Sequence, residues 1–257
     1  MLGGLGLALL AALAALSAGL YRRSLADRNT GPVARGRLVA ERAGCYNCHG
    51  PGGVQGIPNP GSAGGPVPSW SGGTWMMYAQ TPAEVEEWIL DGIPERLRAS
   101  LSHQTEVATR VIPMPAYRGR LSARELADLL AYWKAVSSYP ADPPLAPAAA
   151  RGRDLALATG CFGCHGPDGR GAAPNPGSFA GIIPPWDGPD FGELVRDETE
   201  LREWILTGTA QRLGQHPIAG RFLSRQIIRM PAYNGHLTPT EVDDLVAYIE
   251  ALRGAGN

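Results

Sequence analysis

Two short segments hold the side chains most able to carry chemistry. Each has the order Cys-x-x-Cys-His, and they span Cys45–His49 and Cys161–His165. Two cysteines with this spacing, followed directly by histidine, are typical of c-type haem attachment. There both thiols add across the haem vinyl groups, and the histidine becomes one axial ligand of the iron. The sequence therefore predicts two covalently bound c-type haems, held by Cys45, Cys48, His49, Cys161, Cys164 and His165.

Two other uses of four cysteines fit this spacing less well. A disulfide framework is common in exported chains, but it does not call for a histidine after each cysteine pair. A zinc site built from both Cys-x-x-Cys pairs is the second alternative. The pairs lie 116 residues apart and each has its own histidine, so two independent sites are expected.

The chain repeats itself with an offset of 116 residues, and no insertion is needed from the first motif to the last predicted helix. Two copies of one domain diverge most at positions where the side chain matters least. We therefore expect the positions that still match to be rich in cofactor contacts and core residues. The matched segments are 58–62 with 174–178, 68–72 with 184–188, 88–90 with 204–206, 96–97 with 212–213, and 114–117 with 230–233.

The second axial ligand of each iron is predicted to be methionine. At c-type haem sites, the ligand opposite the first histidine is usually either methionine or a second histidine. Met114 and Met230 are matched by the repeat, and each lies 65 residues beyond the histidine of its own motif. Both precede a proline, which stiffens the loop. The alternative role is that of a flexible core filler. The remaining methionines and histidines have no counterpart of the same type: Met76, Met77, His103, His216 and His236.

The elements that position these residues are predicted to be helices. The segments 32–44 and 147–160 lead into the two motifs, and the last helix of each copy opens with a hydroxyl cap and a glutamate three residues on. No stretch alternates like a strand for more than a few residues, so the predicted fold class is all-α. The predicted helix starts are Thr81, Ser122, Asp197 and Thr238.

Composition and repeat together predict the domain boundaries. Residues 1–29 form an anchor and short tether, 30–139 the first domain, 140–145 a proline-rich linker, and 146–257 the second domain. Such proline density favours an extended, semi-rigid spacer. The net charge of −1 and a charged fraction of 18% argue against a nucleic-acid partner.

Residues 2–20 are uncharged and overwhelmingly apolar. As a helix they would span about 28 Å, enough to cross a bilayer core. A cleaved secretory signal is the alternative, but its apolar region would be unusually long and no basic segment precedes it. Arg22 and Arg23 would favour a cytoplasmic C-terminal side. The attachment motifs argue for the opposite orientation, and a retained membrane anchor is predicted.

Each half of the chain resembles a class I cytochrome c domain, over residues 32–137 and 147–253. The resemblance rests on an N-terminal helix, the Cys-x-x-Cys-His motif, a proline-rich loop, a Met-Pro turn and a C-terminal helix. It implies a small helical fold around haem with histidine and methionine on opposite faces. It also implies extracytoplasmic haem attachment, hence a bacterial inner-membrane protein with its domains on the periplasmic side.

The same resemblance implies that a proline carbonyl accepts the ring proton of the haem-ligating histidine. Pro68 and Pro184, in the Pro-x-Trp-x-Gly segments with Trp70 and Trp186, match best. The neighbouring pairs at 58 and 60 and at 174 and 176 are alternatives. Further pocket candidates are Arg96 and Arg212, either propionate partners or solvated surface residues, and Tyr117 and Tyr233, which are expected to pack near the haem.

The layout of an anchor followed by tandem cytochrome domains is similar to cytochrome subunits of haem–copper oxidases and quinol-oxidising complexes. It predicts an electron carrier with redox protein partners, not an enzyme. A dihaem peroxidase is the enzymatic alternative, which would need an iron with an open position. A mainly structural subunit of a larger membrane complex is the third.

Overall fold

The computed structural model consists of two compact helical units. It describes residues 12–13, 16–17, 31–100, 105, 108–141 and 143–254. One unit comprises Pro32–Pro144, and the described part of the other consists of Gly31 and residues 145–254. The predicted anchor, residues 2–20, lies outside the described residues except for four positions. Where the chain is described, no helix is long and apolar enough to cross a membrane.

In the first unit, long helices at either end of the sequence enclose short helices and loops. Thr81 caps the third helix by accepting a hydrogen bond from the Glu84 amide, and Ser122 and Glu125 form the predicted capping box of the fifth. The helices are α1 (Pro32–Arg42), α2 (Tyr46–His49), α3 (Pro82–Asp91), α4 (Glu95–Arg98) and α5 (Ala123–Val136), with 3-10 turns at Pro51–Gly53 and Thr74–Met77.

The second unit repeats this arrangement over the described residues, and a helix precedes its Met-Pro turn. Ala173–Pro174 (β1) pairs antiparallel with Ile182–Ile183 (β2), in the register Ala173 with Ile183. The helices are α6 (Pro147–Ala158), α7 (Cys161–His165), α8 (Phe191–Leu194), α9 (Glu198–Thr207), α10 (Gln211–Gln215), α11 (Pro217–Arg225) and α12 (Pro239–Gly254), with a 3-10 turn at Pro167–Gly169.

A glycine lets the first and last helices of each unit cross closely. A Cβ atom at Gly36 of α1 would overlap the backbone carbonyl of Asp128 in α5. The Asp128 side chain accepts two hydrogen bonds from Arg35, at 2.8 and 2.7 Å. The matching contact in the second unit joins Gly152 of α6 to the Asp244 carbonyl of α12. The crossing therefore needs the missing side chain, and a partly buried ion pair joins the same two helices.

The predominance of helix confirms the predicted all-α class. The two-residue strands of the second unit and the isolated bridge between Pro58 and Pro66 were not predicted. They tie loop segments to one another without forming a separate layer, and alternation over two residues is too short to recognise in a sequence.

Candidate haem-binding sites

The first unit contains a cavity of about 340 Å³ that opens beside the first motif. Aliphatic and aromatic side chains from α3, α5 and the loops form most of its wall, so the interior is poor in polar groups. The predicted site residues that line it are Cys45, Cys48, His49, Pro68, Trp70, Met114 and Tyr117. The structure thus brings both thiols, the imidazole and the thioether of the first copy to one cavity.

Helix geometry explains how one short segment presents three of these groups. Cys45 directly precedes α2, and Cys48 and His49 lie in α2, three and four residues after Cys45. Residues with this spacing lie on the same side of a helix. The cysteines and the histidine therefore face the cavity together, as attachment to one planar group requires.

The imidazole of His49 is held by a backbone carbonyl. Its Nδ1 atom lies 2.8 Å from the Pro68 carbonyl oxygen. A carbonyl only accepts, so Nδ1 must carry the proton and Nε2 is left with its lone pair for a metal. Burial lowers the pKa of His49 below its usual 6.5, and the Pro68 hydrogen bond offsets part of that shift. The ring is neutral at pH 7, which is the protonation state that binds iron.

Trp70 supports the same imidazole from the side. The two ring centroids are 5.1 Å apart and their planes are tilted by 41°. The Trp70 amide donates to the Gly53 carbonyl at 2.8 Å. A Cβ atom at Gly53, where φ is +81°, would overlap the indole ring. Glycine at this position thus leaves the space that the Trp70 indole ring occupies.

Asn59 holds the methionine loop, a role that sequence reasoning missed. Its side-chain oxygen accepts from the Ile112 amide at 2.9 Å, and its side-chain nitrogen donates to the Ile112 carbonyl at 3.0 Å. Asn59 is 7% exposed, and its partner Ile112 lies two residues before Met114. The signal in the sequence is the matched Pro-Asn-Pro-Gly-Ser loop at 58–62 and 174–178, in which no role was predicted for the asparagine.

The other end of the methionine loop is fixed against α3 and the first motif. The Tyr117 amide donates to the Ile89 carbonyl at 3.0 Å, and the Tyr117 hydroxyl donates to the Ala43 carbonyl at 2.9 Å. A Cβ atom at Gly92, which ends α3 with a φ of +73°, would overlap the Met114 carbonyl. Met114 is therefore held between two clamps, one on either side of its proline-flanked turn.

The second unit reproduces these contacts around its own motif. His165 Nδ1 lies 3.2 Å from the Pro184 carbonyl oxygen, and the His165 and Trp186 ring centroids are 4.9 Å apart. The Asn175 side chain makes both hydrogen bonds to Ile228, each at 2.9 Å. The Tyr233 hydroxyl donates to the Thr159 carbonyl at 3.1 Å, and the Met230 carbonyl faces Gly208. Cys161 and Cys164 lie in α7 with His165, and Cys161 and Met230 pack against the core.

Desolvation acts more strongly on the second histidine. It lowers the pKa of His165 from 6.5 to about 4, although the Pro184 carbonyl opposes the shift. The neutral imidazole is therefore favoured across the physiological range. Protonating it would place a charge among apolar side chains, which is costly.

Both candidate arginines form ion pairs with glutamates. Arg96 is absent from the wall of the first cavity, because its guanidinium binds Glu84 at 2.7 and 3.0 Å. Arg212 binds Glu200 at 2.6 and 2.9 Å. A propionate contact for either residue remains a prediction.

The donor set fits a covalently attached haem better than the alternatives. Two thiols, one imidazole with a free Nε2 and one thioether surround an apolar cavity, which are the groups that such a haem needs. None of the four cysteines forms a disulfide, and the described residues contain no cluster of three or more His, Cys, Asp or Glu side chains of the kind zinc requires.

Comparisons with known proteins point the same way. Residues 149–253 match the family described as Cytochrome c. The chain is 23% identical over 220 residues to the cbb3-type cytochrome c oxidase subunit FixPc of Rhizobium leguminosarum bv. viciae, covering 85% of this chain and 61% of that protein. It is 26% identical over 197 residues to cytochrome c4 of Azotobacter vinelandii, covering 74% of this chain and 82% of that protein. No solved structure matches the chain.

Together these similarities support a class I cytochrome c and a haem electron-transfer protein. The family match lies in the second copy, and the similarity to the two relatives extends over most of the chain. A cytochrome c domain implies a covalently bound c-type haem with iron.

Proposed function

We propose that this protein is a membrane-anchored dihaem cytochrome c that passes single electrons between a membrane or periplasmic donor and an acceptor of a respiratory or photosynthetic chain. The observation that carries the proposal is the duplication of one complete donor set. Each unit has its own thiol pair, its own histidine oriented by a proline carbonyl, and its own clamped methionine.

In each unit, different residues have different roles in an electron carrier whose iron is closed to substrates. A bound haem supplies the one-electron chemistry of its iron. The histidine imidazole and the methionine thioether would hold the iron and leave no position on it for a substrate. The apolar wall excludes water, and methionine ligation favours the reduced iron, which raises the reduction potential. The Asn and Tyr clamps keep the methionine in place in both oxidation states, which lowers the reorganisation that accompanies electron transfer.

The location of the protein belongs to the same proposal. Residues 2–20 would anchor it in the inner membrane of a bacterium, with both domains on the periplasmic side. The support is the length and apolarity of this segment and the extracytoplasmic attachment implied by the resemblance to class I cytochromes.

Membership of a membrane complex is a second candidate role, favoured by the name of one relative. FixPc is a subunit of a cbb3-type cytochrome c oxidase, and this chain spans 61% of its length. A subunit of an oxidase or of a quinol-oxidising complex would use the same two haem sites. Purification in mild detergent separates the two roles, because a lone 27.1 kDa species would argue against a stable complex.

The central experiment is a haem count and a redox titration of the purified full chain. We expect two haems per chain, a low-spin ferric spectrum with methionine ligation, and two reversible one-electron couples. Replacing both cysteines of one motif with serine should remove one haem and one couple. A high-spin ferric haem with peroxide turnover would instead establish a peroxidase, and zinc in place of haem would refute the proposal.

A further inference from the structure

The second unit exposes apolar side chains beside its methionine loop. Phe179, Ile218 and Ile227 are 52%, 64% and 73% exposed, and Phe222 is half-buried between them. These four residues are called the α11 patch, after the helix that carries two of them. No residue of α11 is buried, so this helix contributes little to the core.

Contacts and helix geometry bring the four residues of the patch close together. The rings of Phe179 and Phe222 meet edge to face with centroids 5.2 Å apart. Ile218 lies one helical turn before Phe222, on the same side of α11. The Ile227 amide donates to the Pro176 carbonyl at 3.0 Å, which ties the end of the patch to the loop that leads into Phe179.

A cluster of arginines surrounds the patch. Arg221, Arg225 and Arg229 are exposed, and none of them forms an ion pair with a described carboxylate. Residues 204–240 contain four arginines and no aspartate or glutamate, whereas residues 146–257 as a whole carry ten basic and thirteen acidic side chains. The positive charge is therefore concentrated on this face of an otherwise acidic domain.

The patch borders the candidate haem site. Ile227 lies three residues before Met230, and Asn175 holds Ile228, the neighbour of Ile227. The counterparts of Asn175, Ser178 and Ile228 in the first unit are Asn59, Ser62 and Ile112, and these line the cavity itself, directly beside the counterparts of the patch residues Phe179 and Ile227. A protein seated on the patch would therefore approach the edge of the second haem.

We infer that the α11 patch is the docking surface for a redox protein that carries acidic side chains around its own redox centre. This inference rests on the proposed electron-transfer function and names the chemistry of one partner. The apolar centre would be desolvated on contact, and arginine rims pair with carboxylates in a directional, bidentate manner. Long-range attraction between the rims would speed encounter and orient the two proteins.

A membrane surface is the less suitable occupant. α11 has nine residues and carries two arginines, so it offers a small apolar face for insertion between lipids. The arginines also stand around the patch on more than one element, as at a protein interface.

The test compares two charge-reversal variants of the full haem-loaded chain. R221E/R225E removes the rim on α11, and R120E/R124E makes the same net charge change at exposed positions of the first domain. The probe is a plant-type [2Fe–2S] ferredoxin, a small acidic carrier whose potential near −400 mV makes electron transfer to a methionine-ligated haem downhill. Binding of the oxidised probe by calorimetry and reduction of the second haem by stopped flow are measured from about 10 mM to 0.5 M salt.

We expect R221E/R225E to weaken binding and slow reduction by roughly tenfold or more at low salt, and by less than twofold at high salt, because screening removes the attraction. R120E/R124E should change either quantity by less than about twofold. The milder variant R221Q/R225Q should show an intermediate effect. Phe179→Ser should weaken binding at high salt as well, since it removes apolar contact area.

Three results would overturn the inference. Equal effects of both charge reversals would mean that only net charge matters, and no effect of either would mean that docking occurs elsewhere. If R221E/R225E no longer binds phosphatidylglycerol vesicles but still binds ferredoxin, the patch is a membrane-binding surface. Reduction of both haems by dithionite in every variant shows that the carrier itself is intact, so these outcomes are distinct from failure of the proposed function.

Discussion

Buried asparagines hold the loops of the two candidate methionine ligands by pairing with the amide and the carbonyl of one backbone residue. Asn59 satisfies both the amide and the carbonyl of Ile112, and Asn175 does the same for Ile228. Because buried polar groups left without partners are costly, each loop is stable only in the position that presents the methionine to the motif.

Removing one clamp should loosen one methionine. Asn59→Ala leaves the Ile112 amide and carbonyl unpaired, a penalty of about 1–3 kcal/mol that displacement of the loop would relieve. The pH at which Met114 is replaced as ligand should fall by roughly one to two units. The measurement is a pH titration of the methionine-ligation band of the first haem.

Asn175→Ala is the matched control for that titration. It should shift the band of the second haem and leave the first unchanged. If Asn59→Ala shifts neither band, the loop is held in place by the tyrosine clamp alone.

The methionines themselves give the most direct prediction at this scale. Met114→Ala and Met230→Ala should each lower one midpoint potential and abolish one methionine-ligation band, because a weak donor that favours ferrous iron is lost. Potentiometric titration with optical detection checks both effects. Unchanged potentials in both variants would show that the axial assignment is wrong.

At the scale of elements, the contact between the first and last helices depends on glycine. Gly152 of α6 faces the Asp244 carbonyl so closely that a side chain cannot be accommodated without moving a helix. We expect Gly152→Ala to destabilise the second unit by about 2 kcal/mol or more, as overpacking does. Chemical denaturation followed by circular dichroism measures the loss.

Gly192 provides the control for this substitution. A Cβ atom there meets nothing within 4 Å, so Gly192→Ala should change the free energy of unfolding by less than about 0.5 kcal/mol. Equal stabilities of the two variants would mean that α6 and α12 can separate at no cost.

A partly buried ion pair links the start of α9 to α10. Hydrogen bonds from Arg212 lower the pKa of Glu200 from 4.5 to about 2. Because the folded-state pKa is depressed, the pair contributes to stability above about pH 4.5, and this contribution is lost as the pH falls through about 2.

Arg212→Gln should therefore raise the pKa of Glu200 back toward 4.5. The carboxyl carbon resonance of Glu200, followed by NMR from pH 2 to 6, reports the shift. Arg225→Gln, at an exposed arginine of α11 outside this pair, should leave the Glu200 titration unchanged. A Glu200 pKa that stays near 2 without Arg212 would identify its backbone hydrogen bond to Arg196 as the dominant cause.

The helices show where local sequence signals suffice. The caps at Thr81, Ser122 and Asp197 begin helices as predicted, because a side chain that accepts the third amide is a local interaction. α11 was not predicted, because its nine residues are fewer than the roughly 11 to 18 over which a helical period is recognised in a sequence.

At the scale of the whole molecule, the two copies differ most in the charge of one loop region. Residues 50–83 carry no charged side chain, while their counterparts 166–199 carry eight. In the second region Asp168 accepts a hydrogen bond from Arg153, and Asp187 accepts one from Arg170. Each domain thus has its own candidate haem site of the same design, while their surfaces differ in charge. This difference suits electron exchange with different partners.

Deleting residues 2–20 tests the proposed anchor. We expect the full chain to stay with membranes after a carbonate wash, since 19 apolar residues can span a bilayer core. The deletion variant, exported by a cleavable secretory signal in place of residues 2–20, should be released with both haems attached. An otherwise identical chain with two leucines of this segment changed to arginine should be released as well. Equal release of the full chain and the deletion variant would refute the anchor.

The attachment motifs, the duplication and the helical class were evident in the sequence alone, because covalent attachment depends on residues within a five-residue segment and a repeat can be recognised without the fold. Only the tertiary structure showed that the Pro68 carbonyl faces His49, that Arg96 and Arg212 are held by glutamates, and that Asn59 and Asn175 grip the methionine loops. These contacts join residues 12 to 53 positions apart, and the path of the loops between them decides which polar groups come within hydrogen-bonding distance.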